Sequence, residues 1–198
     1  MIIGLTGNIA SGKSTVSEMC QKWHIPVIDA DKIAHQIVEP QELAYQPIID
    51  AFGEDIVKQD GWIDRKKLGR IVFGNDQARQ TLNQITHPAI RKKMQEQKQQ
   101  LLDQGHRAIV LDIPLLFENQ LTYMVDRTLV VYTERSIQLQ RLMARNQFTK
   151  EEAEKRMNAQ MDQEKKKERA DAVVDNSGTI GETEKQLVEI LRQWGVTI

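Results

Sequence analysis

The chain has 198 residues, 40% of them hydrophobic and 28% charged, so it is long enough to bury a core and has an ordinary globular composition. Its formal charge of −1 excludes a global basic field for holding nucleic acid or an anionic membrane. The single cysteine, Cys20, excludes an internal disulfide and a cysteine-rich zinc module. With no signal-peptide pattern and no apolar run of about 18 residues, the sequence predicts a cytoplasmic protein.

The first predicted elements are a strand, a loop and a helix. Residues 1–5 form an apolar run that predicts a buried strand ending at a glycine-containing turn. Beyond the loop, an amphipathic helix is indicated by apolar residues at i, i+3, i+4 and i+7, namely Val16, Met19, Cys20 and Trp23. On this stripe, Cys20 is interpreted as a core residue. Residues 25–28 predict a second strand.

The rest of the chain divides into a helical insertion and a return to strands. Residues 36–104 show helical patterns interrupted by Pro and Gly, including Pro88, with no convincing strand. Strand patterns resume at 108–111, 128–132 and 172–174, and residues 149–152 fit a capping box. The last helix carries an apolar stripe of Leu187, Ile190, Leu191 and Trp194. Strands alternating with helices predict an α/β fold with a parallel sheet covered on both faces.

Residues 7–14 match G-x-x-x-x-G-K-[ST], the P-loop. Its glycines let the backbone wrap an anion, and the following helix turns its positive end toward the phosphates. Lys13 would reach the β- and γ-phosphates, and the Ser14 hydroxyl would bind Mg²⁺. A chance match in such a chain has a probability of roughly 1%. The predicted ATP-binding residues here are Gly7, Asn8, Ile9, Ala10, Ser11, Gly12, Lys13, Ser14 and Thr15.

The P-loop motif occurs in several classes of protein, which are distinguished here by other residues and by chain length. The sequence contains no Asn-Lys pair, which argues against a GTPase, and ATPase motors are usually larger. A small kinase fits best. Asp29 and Asp31 follow the second strand, where alternation would place both on one side, and Asp31 is either the base facing an acceptor hydroxyl or the N-cap of the next helix. Asp112 ends a later strand in a Walker-B-like position and would hold Mg²⁺ directly or through water.

Three further groups of polar or charged residues are candidates, and two of them have both a functional and a structural interpretation. Gln138, Arg141 and Arg145 share one helix face, which would close over the triphosphate or would simply be solvated. Residues 165–169 mix charges of both signs, as is typical of a solvated helix. His87, beside Pro88, is either structural or a contact to an acceptor.

Taken in order, these segments resemble the dephospho-coenzyme A kinase family over essentially the whole chain. The resemblance rests on the P-loop, Val-Ile-Asp-Ala-Asp at 27–31, Gly-Trp-Ile-Asp-Arg at 61–65, His-Pro at 87–88 and Asp-Ile-Pro-Leu-Leu-Phe-Glu at 112–118, with Gln138, Arg141, Arg145, Gln160 and Asn176. It implies a P-loop NTPase-like parallel five-stranded sheet flanked by helices, with a helical substrate subdomain and a lid. The expected boundaries are a core of 1–35, 105–133 and 169–198, an insertion at 36–104 and a lid at 134–168.

The resemblance also implies an activity: transfer of the ATP γ-phosphoryl to the ribose 3′-hydroxyl of dephospho-CoA, giving CoA and ADP. Asp31 would be the base, acting with Lys13 and Arg141. The acceptor side would hold Arg65, His87, Leu115, Leu116, Phe117 and Glu118. Arg145 would belong to the lid and Asn176 would lie near the adenine.

Two family positions depart from the usual glycine, at Asn8 and Ala10, and we expect a residue tolerant of positive φ and a small residue to preserve the loop. Another small-molecule P-loop kinase and a non-enzymatic nucleotide-gated module remain as alternatives. Neither nucleic acid nor a membrane is an expected partner, and the sequence sets no oligomeric state.

Overall fold

The computed structural model describes all 198 residues. The chain divides into two compact units, one made of Met1–Ile28 and Leu101–Ile198 and the other of Asp29–Gln100. The helices are α1 (Lys13–Lys22), α2 (Ala30–Gln36), α3 (Tyr45–Phe52), α4 (Arg65–Val72), α5 (Asp76–Asp103), α6 (Arg135–Asn146), α7 (Lys150–Asn158), α8 (Gln163–Arg169) and α9 (Ile180–Gln193). No helix combines the length and the apolar character that a membrane crossing requires.

A five-stranded sheet in the order β2-β3-β1-β4-β5 forms the centre of the first unit. Its strands are β1 (Ile2–Gly7), β2 (Val27–Asp29), β3 (Ile109–Asp112), β4 (Arg127–Tyr132) and β5 (Ala172–Asp175). β1 pairs in parallel with both β3 and β4, and β4 with β5. The predicted α/β fold is therefore confirmed, with the second strand beginning at Val27 rather than at residue 25.

The core of this unit lies between the sheet and helices α1 and α9. Every residue of β1 is buried, as expected for a central parallel strand with both faces covered. The predicted helix stripes are confirmed, because Val16, Met19 and Cys20 of α1 and Leu187 and Leu191 of α9 are all buried in one cluster. The parallel register brings Leu5 opposite Asp112 and Gly7 opposite Val131, so the ends of three strands meet at one edge.

Helices α6, α7 and α8 belong to the same unit and follow β4. The predicted capping box at the start of α7 is confirmed: Glu152 N–H donates to Thr149 Oγ1 and Thr149 N–H donates to Glu152 Oε2. A small apolar cluster of Leu142, Ala153 and Met157 holds α6 against α7.

The second unit is helical, and its only strand-like pairing is an antiparallel bridge between Val57 and Ile63. The expectation that Pro88 interrupts a helix is wrong, because α5 runs through it for 28 residues. A proline in a helix interior removes one hydrogen bond and costs about 3 kcal/mol. The long stretches of helix-forming residues on both sides, anchored by the buried Met94, outweigh that cost here.

Candidate nucleotide-binding site

The P-loop leaves β1 at Gly7 and enters α1 at Lys13, at the sheet edge where the central strands end. Both of its glycines are sterically required. A Cβ on Gly7 would lie 2.6 Å from Ser11 Oγ and 2.8 Å from the Val131 carbonyl oxygen. Gly12 has φ +87°, and a Cβ there would lie 1.9 Å from Asn176 Nδ2. The loop thus passes too close to its neighbours to carry any side chain at these two positions.

The two positions that depart from the family's glycines behave differently. Ala10 adopts φ 60°, in the left-handed region where an alanine is strained. Asn8 does not have a positive φ, so its tolerance for that region is unused. Instead Asn8 is 7% exposed and its Nδ2 donates to the Met161 carbonyl at 2.9 Å. Asn8 therefore supplies a tether that a glycine could not.

Residues after β4 and β5 hold the far side of the loop through the Ser11 carbonyl. This oxygen accepts hydrogen bonds from Thr133 Oγ1 at 2.9 Å and Asn176 Nδ2 at 2.8 Å. Arg141 Nη1 lies 3.4 Å from Thr133 Oγ1, and Thr183 Oγ1 donates to Asn176 Oδ1 at 2.9 Å. The Asn176 side chain is thus buried, and both its amide nitrogen and its amide oxygen are hydrogen-bonded. It helps to hold the loop in this conformation.

The peptide groups of Ile9 are held by two glutamines. Its carbonyl accepts from Gln138 Nε2 at 2.7 Å, and its N–H donates to Gln160 Oε1 at 2.8 Å. Gln138 is 1% exposed, so the interpretation of its helix face as solvated is wrong at this position. Arg145 lies at the exposed end of α6 and bonds to Asn146 Oδ1, without a contact to the loop.

The amides at the start of α1 remain available for an anion. The N–H groups of Gly12, Lys13 and Ser14 make none of the protein's internal hydrogen bonds, as is usual for the first turn of a helix. They lie at the positive end of the helix dipole, where phosphate oxygens bind favourably. The exposed Ser14 hydroxyl is on the same turn.

Lys13 Nζ forms an ion pair with Asp112 Oδ1 at the end of β3. The carboxylate is buried, with Asp112 4% exposed. Burial, followed by the negative charge of Asp112, raises the pKa of the Cys20 thiol to about 12. Cys20 is 1% exposed, which confirms its interpretation as a core residue.

The apolar segment after β3 is mostly buried and has one exposed residue. Leu115 is exposed, whereas Leu116 and Phe117 are buried, and the guanidinium of Arg169 lies 5.0 Å from the centre of the Phe117 ring. Glu118 pairs with Lys166 of α8. Lys166 is completely buried, so the expectation of a solvated helix at 165–169 is wrong for this residue.

In the second unit, helix α2 begins earlier than the sequence suggested. Its N-cap is Asp29, whose side chain accepts from the N–H groups of Asp31 and Lys32. The alternative interpretation of Asp31 as the cap is therefore wrong. The expected alternation of Asp29 and Asp31 is also wrong, because Asp31 is already helical. Asp31 is exposed, and its carboxylate takes part in no hydrogen bond or ion pair of the protein.

The other predicted acceptor residues of this unit lie on α4 and α5. Arg65 is the first residue of α4, and its guanidinium contacts the His35 ring and donates to the His35 carbonyl at 2.7 Å. His87 is half-buried beside Arg91 in an open hollow of about 420 Å³ on α5.

Sequence patterns did not single out Thr133 as a support of the P-loop or Lys166 as the buried partner of Glu118. Thr133 had a usable signal, since it is the first polar residue after the apolar strand β4, at the edge where ligands bind in α/β sheets. Lys166 had none, because four neighbouring residues in the sequence are also charged.

Comparison with known proteins agrees with this geometry. The sequence matches the dephospho-CoA kinase family model over residues 1–182. It is 55% identical to a dephospho-CoA kinase of Geobacillus kaustophilus over 194 residues, which covers 98% of this chain and 96% of the relative. The solved structure of TT1252 from Thermus thermophilus is 32% identical, with a TM-score of 0.84 and coverage of 100% and 98%. A dephospho-CoA kinase structure from Campylobacter jejuni is 34% identical, with a TM-score of 0.67 and coverage of 97% and 96%. The chain belongs to the dephospho-CoA kinase family.

Proposed function

We propose that this ATP-dependent kinase phosphorylates the ribose 3′-hydroxyl of dephospho-CoA, giving CoA and ADP in the last step of coenzyme A synthesis. The observation that carries the proposal is the loop around Gly12, whose free amides form a phosphate cradle in a chain with this family membership. The free amides of the P-loop account for the binding of ATP, the phosphoryl donor, and the family membership supports dephospho-CoA as the phosphoryl acceptor.

The P-loop binds the triphosphate through the N–H groups of Gly12, Lys13 and Ser14, with Thr15 in the same turn. Lys13 exchanges part of its ion pair with Asp112 for the β- and γ-phosphate oxygens. Arg141, placed against the loop through Thr133, faces the charge that spreads over the transferred group. These cations act by electrostatic stabilisation.

A magnesium ion fits the donor set at this edge. Ser14 offers an exposed hydroxyl, and Asp112 offers a carboxylate at the end of β3, and hard oxygen ligands of this kind suit Mg²⁺. When bound, Mg²⁺ would offset the charge of the β- and γ-phosphates. The Asp112 carboxylate would then serve both Lys13 and the ion.

Asp31 is the base in this proposal. Since Asp29 caps α2, the Asp31 carboxylate is not needed as the cap, and the proposal assigns it the proton of the acceptor hydroxyl. The acceptor oxygen attacks the γ-phosphorus, its proton passes to Asp31, and the bridging oxygen leaves with ADP. A loose transition state needs that proton removed only late, so a carboxylate is basic enough.

On the acceptor side, the diphosphate of dephospho-CoA requires cations and its pantetheine arm tolerates apolar contacts. Arg65 and His87 supply the polar contacts, and residues 115–118 supply a wall with Leu115 exposed. We assign 1–35, 105–133 and 169–198 to the core, 36–104 to the acceptor-binding insertion, and 134–168 to the lid that carries Arg145. Asn176 would lie near the adenine, and the enzyme would work in the cytoplasm.

An acceptor panel tests the proposal. Purified protein is incubated with Mg-ATP and either dephospho-CoA, a nucleoside, a nucleoside monophosphate, shikimate or no acceptor, and ADP release and product mass are followed. We expect ADP and a product heavier by one phosphate only with dephospho-CoA. Turnover of another acceptor in its place, or nucleotide binding without any turnover, would refute the assignment.

A further inference from the structure

Lys166 is a charged side chain with no exposure to solvent. Its Nζ lies 2.8 Å from Glu118 Oε1, and this is the ion pair that offsets the charge of Glu118. Burying such a pair is costly, and a pair of apolar side chains would often be as stable or more stable. The pair therefore invites an explanation beyond stability.

The contacts of Lys166 reach both ends of the wall segment, residues 114–118. At one end Nζ lies 3.5 Å from the Pro114 carbonyl, which also accepts from Thr6 Oγ1 at 2.9 Å. At the other end, Glu118 Oε1 accepts from the Met161 N–H at 3.2 Å as well as from Lys166. One ammonium group thus lies against both the beginning and the end of this segment.

The P-loop does not depend on Lys166 in the same way. Most of its anchors lie elsewhere: Thr133 and Asn176 hold the Ser11 carbonyl, and Gln138 and Gln160 hold the peptide groups of Ile9. One anchor, the bond from Asn8 to the Met161 carbonyl, is linked to Glu118 through the Met161 N–H. None of these side chains contacts Lys166. Loss of Lys166 would therefore release the wall segment while leaving the anchors on Ser11 and Ile9 in place.

We propose that Lys166 is a positioning residue, which sets the wall segment at the distance from the P-loop that the acceptor requires. It does so by bridging Pro114 and Glu118 and does not touch the reactants. This inference rests on the proposed function, because residues 115–118 matter to the reaction only if they border dephospho-CoA. The expected kinetic effect of losing Lys166 is a change in the KM for dephospho-CoA with little change in the KM for ATP.

The test compares Lys166→Met with Lys165→Met, a matched change at an exposed residue on the same helix. We expect Lys166→Met to raise the KM for dephospho-CoA and lower kcat, with a combined loss of about 10- to 100-fold in kcat/KM for the acceptor, as for a misplacement near 1 Å. The KM for ATP should stay within about twofold. Lys165→Met should match the wild type in all three constants.

A second variant separates position from charge balance. Lys166→Met alone leaves a partly buried carboxylate without its partner and can unfold the protein, whereas Lys166→Met with Glu118→Gln removes both charges. We expect the double variant to regain most of the thermal stability and to keep the raised acceptor KM.

Three results would overturn the proposal. They are an equal rise in both KM values, unchanged kinetics in a folded Lys166→Met protein, and a double variant that recovers the wild-type acceptor KM together with stability. Failure of the wild type itself to phosphorylate dephospho-CoA would instead refute the proposed function, and the role of Lys166 would fall with it.

Discussion

Replacing Gly12 with alanine probes the tightest approach in the site. The added Cβ would lie 1.9 Å from Asn176 Nδ2, and Gly12 has φ +87°. A non-glycine residue in the left-handed region costs about 1–2 kcal/mol. Moving Asn176 away breaks its bond to the Ser11 carbonyl, which keeps Thr133 as a partner. The buried Asn176 amide donor is then left unpaired, at about 1–3 kcal/mol.

The sum, about 2–5 kcal/mol, predicts a clear loss of stability and of nucleotide affinity. At about 2–4 °C per kcal/mol for a chain of this size, the Tm should fall by roughly 4–20 °C. Calorimetric titration should show weaker ATP binding, because the displaced Asn176 no longer fixes the loop.

Gly181→Ala is the matched control. This glycine lies in α9, where its Cβ would meet nothing within 4 Å. Alanine there should leave ATP binding unchanged and stabilise the helix by up to about 1 kcal/mol. If Gly12→Ala melts at the wild-type temperature and binds ATP with the wild-type Kd, the contact between Gly12 and Asn176 does not constrain the loop.

Three further changes test other parts of the molecule. Asp31→Asn should lower kcat by about 10²- to 10⁴-fold with the Tm unchanged, since Asp29 is the cap; a loss of Tm with normal kcat would contradict this. Ala10→Gly should relieve the left-handed strain and raise stability by about 0.5–1 kcal/mol in urea unfolding, and a lower midpoint would count against strain at φ 60°. Desolvation acts to raise the pKa of Asp171, but the N–H and hydroxyl of Thr128 outweigh it and hold that pKa below its usual range. The stability from Asp171 is thus complete above the unfolded pKa of about 3.9 and is lost as the pH falls through the lower folded value. Asp171→Asn should accordingly weaken the protein at pH 7 and flatten its acid unfolding curve, and an identical acid profile would refute the linkage.

Much of the fold was accessible from local patterns. The strands, the stripes on α1 and α9, and the capping box at Thr149 follow from periodicity and capping chemistry, which act within a few residues. The start of α2 was less accessible, because either Asp29 or Asp31 could cap it and only the backbone geometry decides. The path of α5 through Pro88 was also missed, since a local rule was outweighed by the rest of the helix.

The candidate site shows the same difference between features set by local sequence and features set by distant contacts. The P-loop is contiguous, so its residue types reveal its chemistry. The supports of the loop come from positions more than 100 residues away, as with Gln160 on Ile9 and Thr133 on Ser11. The burial of Lys166 depends on packing that no charge pattern records. The roles of Asp31, Arg65 and His87 remain predictions.

Helices α6 and α7 form a hairpin that is hydrogen-bonded to a single P-loop residue, Ile9, from α6 and from just beyond the end of α7. Gln138 of α6 donates to the carbonyl of Ile9, and Gln160, just beyond α7, accepts from the Ile9 N–H. A rigid-body rotation of the hairpin would have to break both hydrogen bonds at once. We therefore expect closure over a bound nucleotide to be a bend of the outer tip, which sweeps Arg145 inward while Arg141 hardly moves.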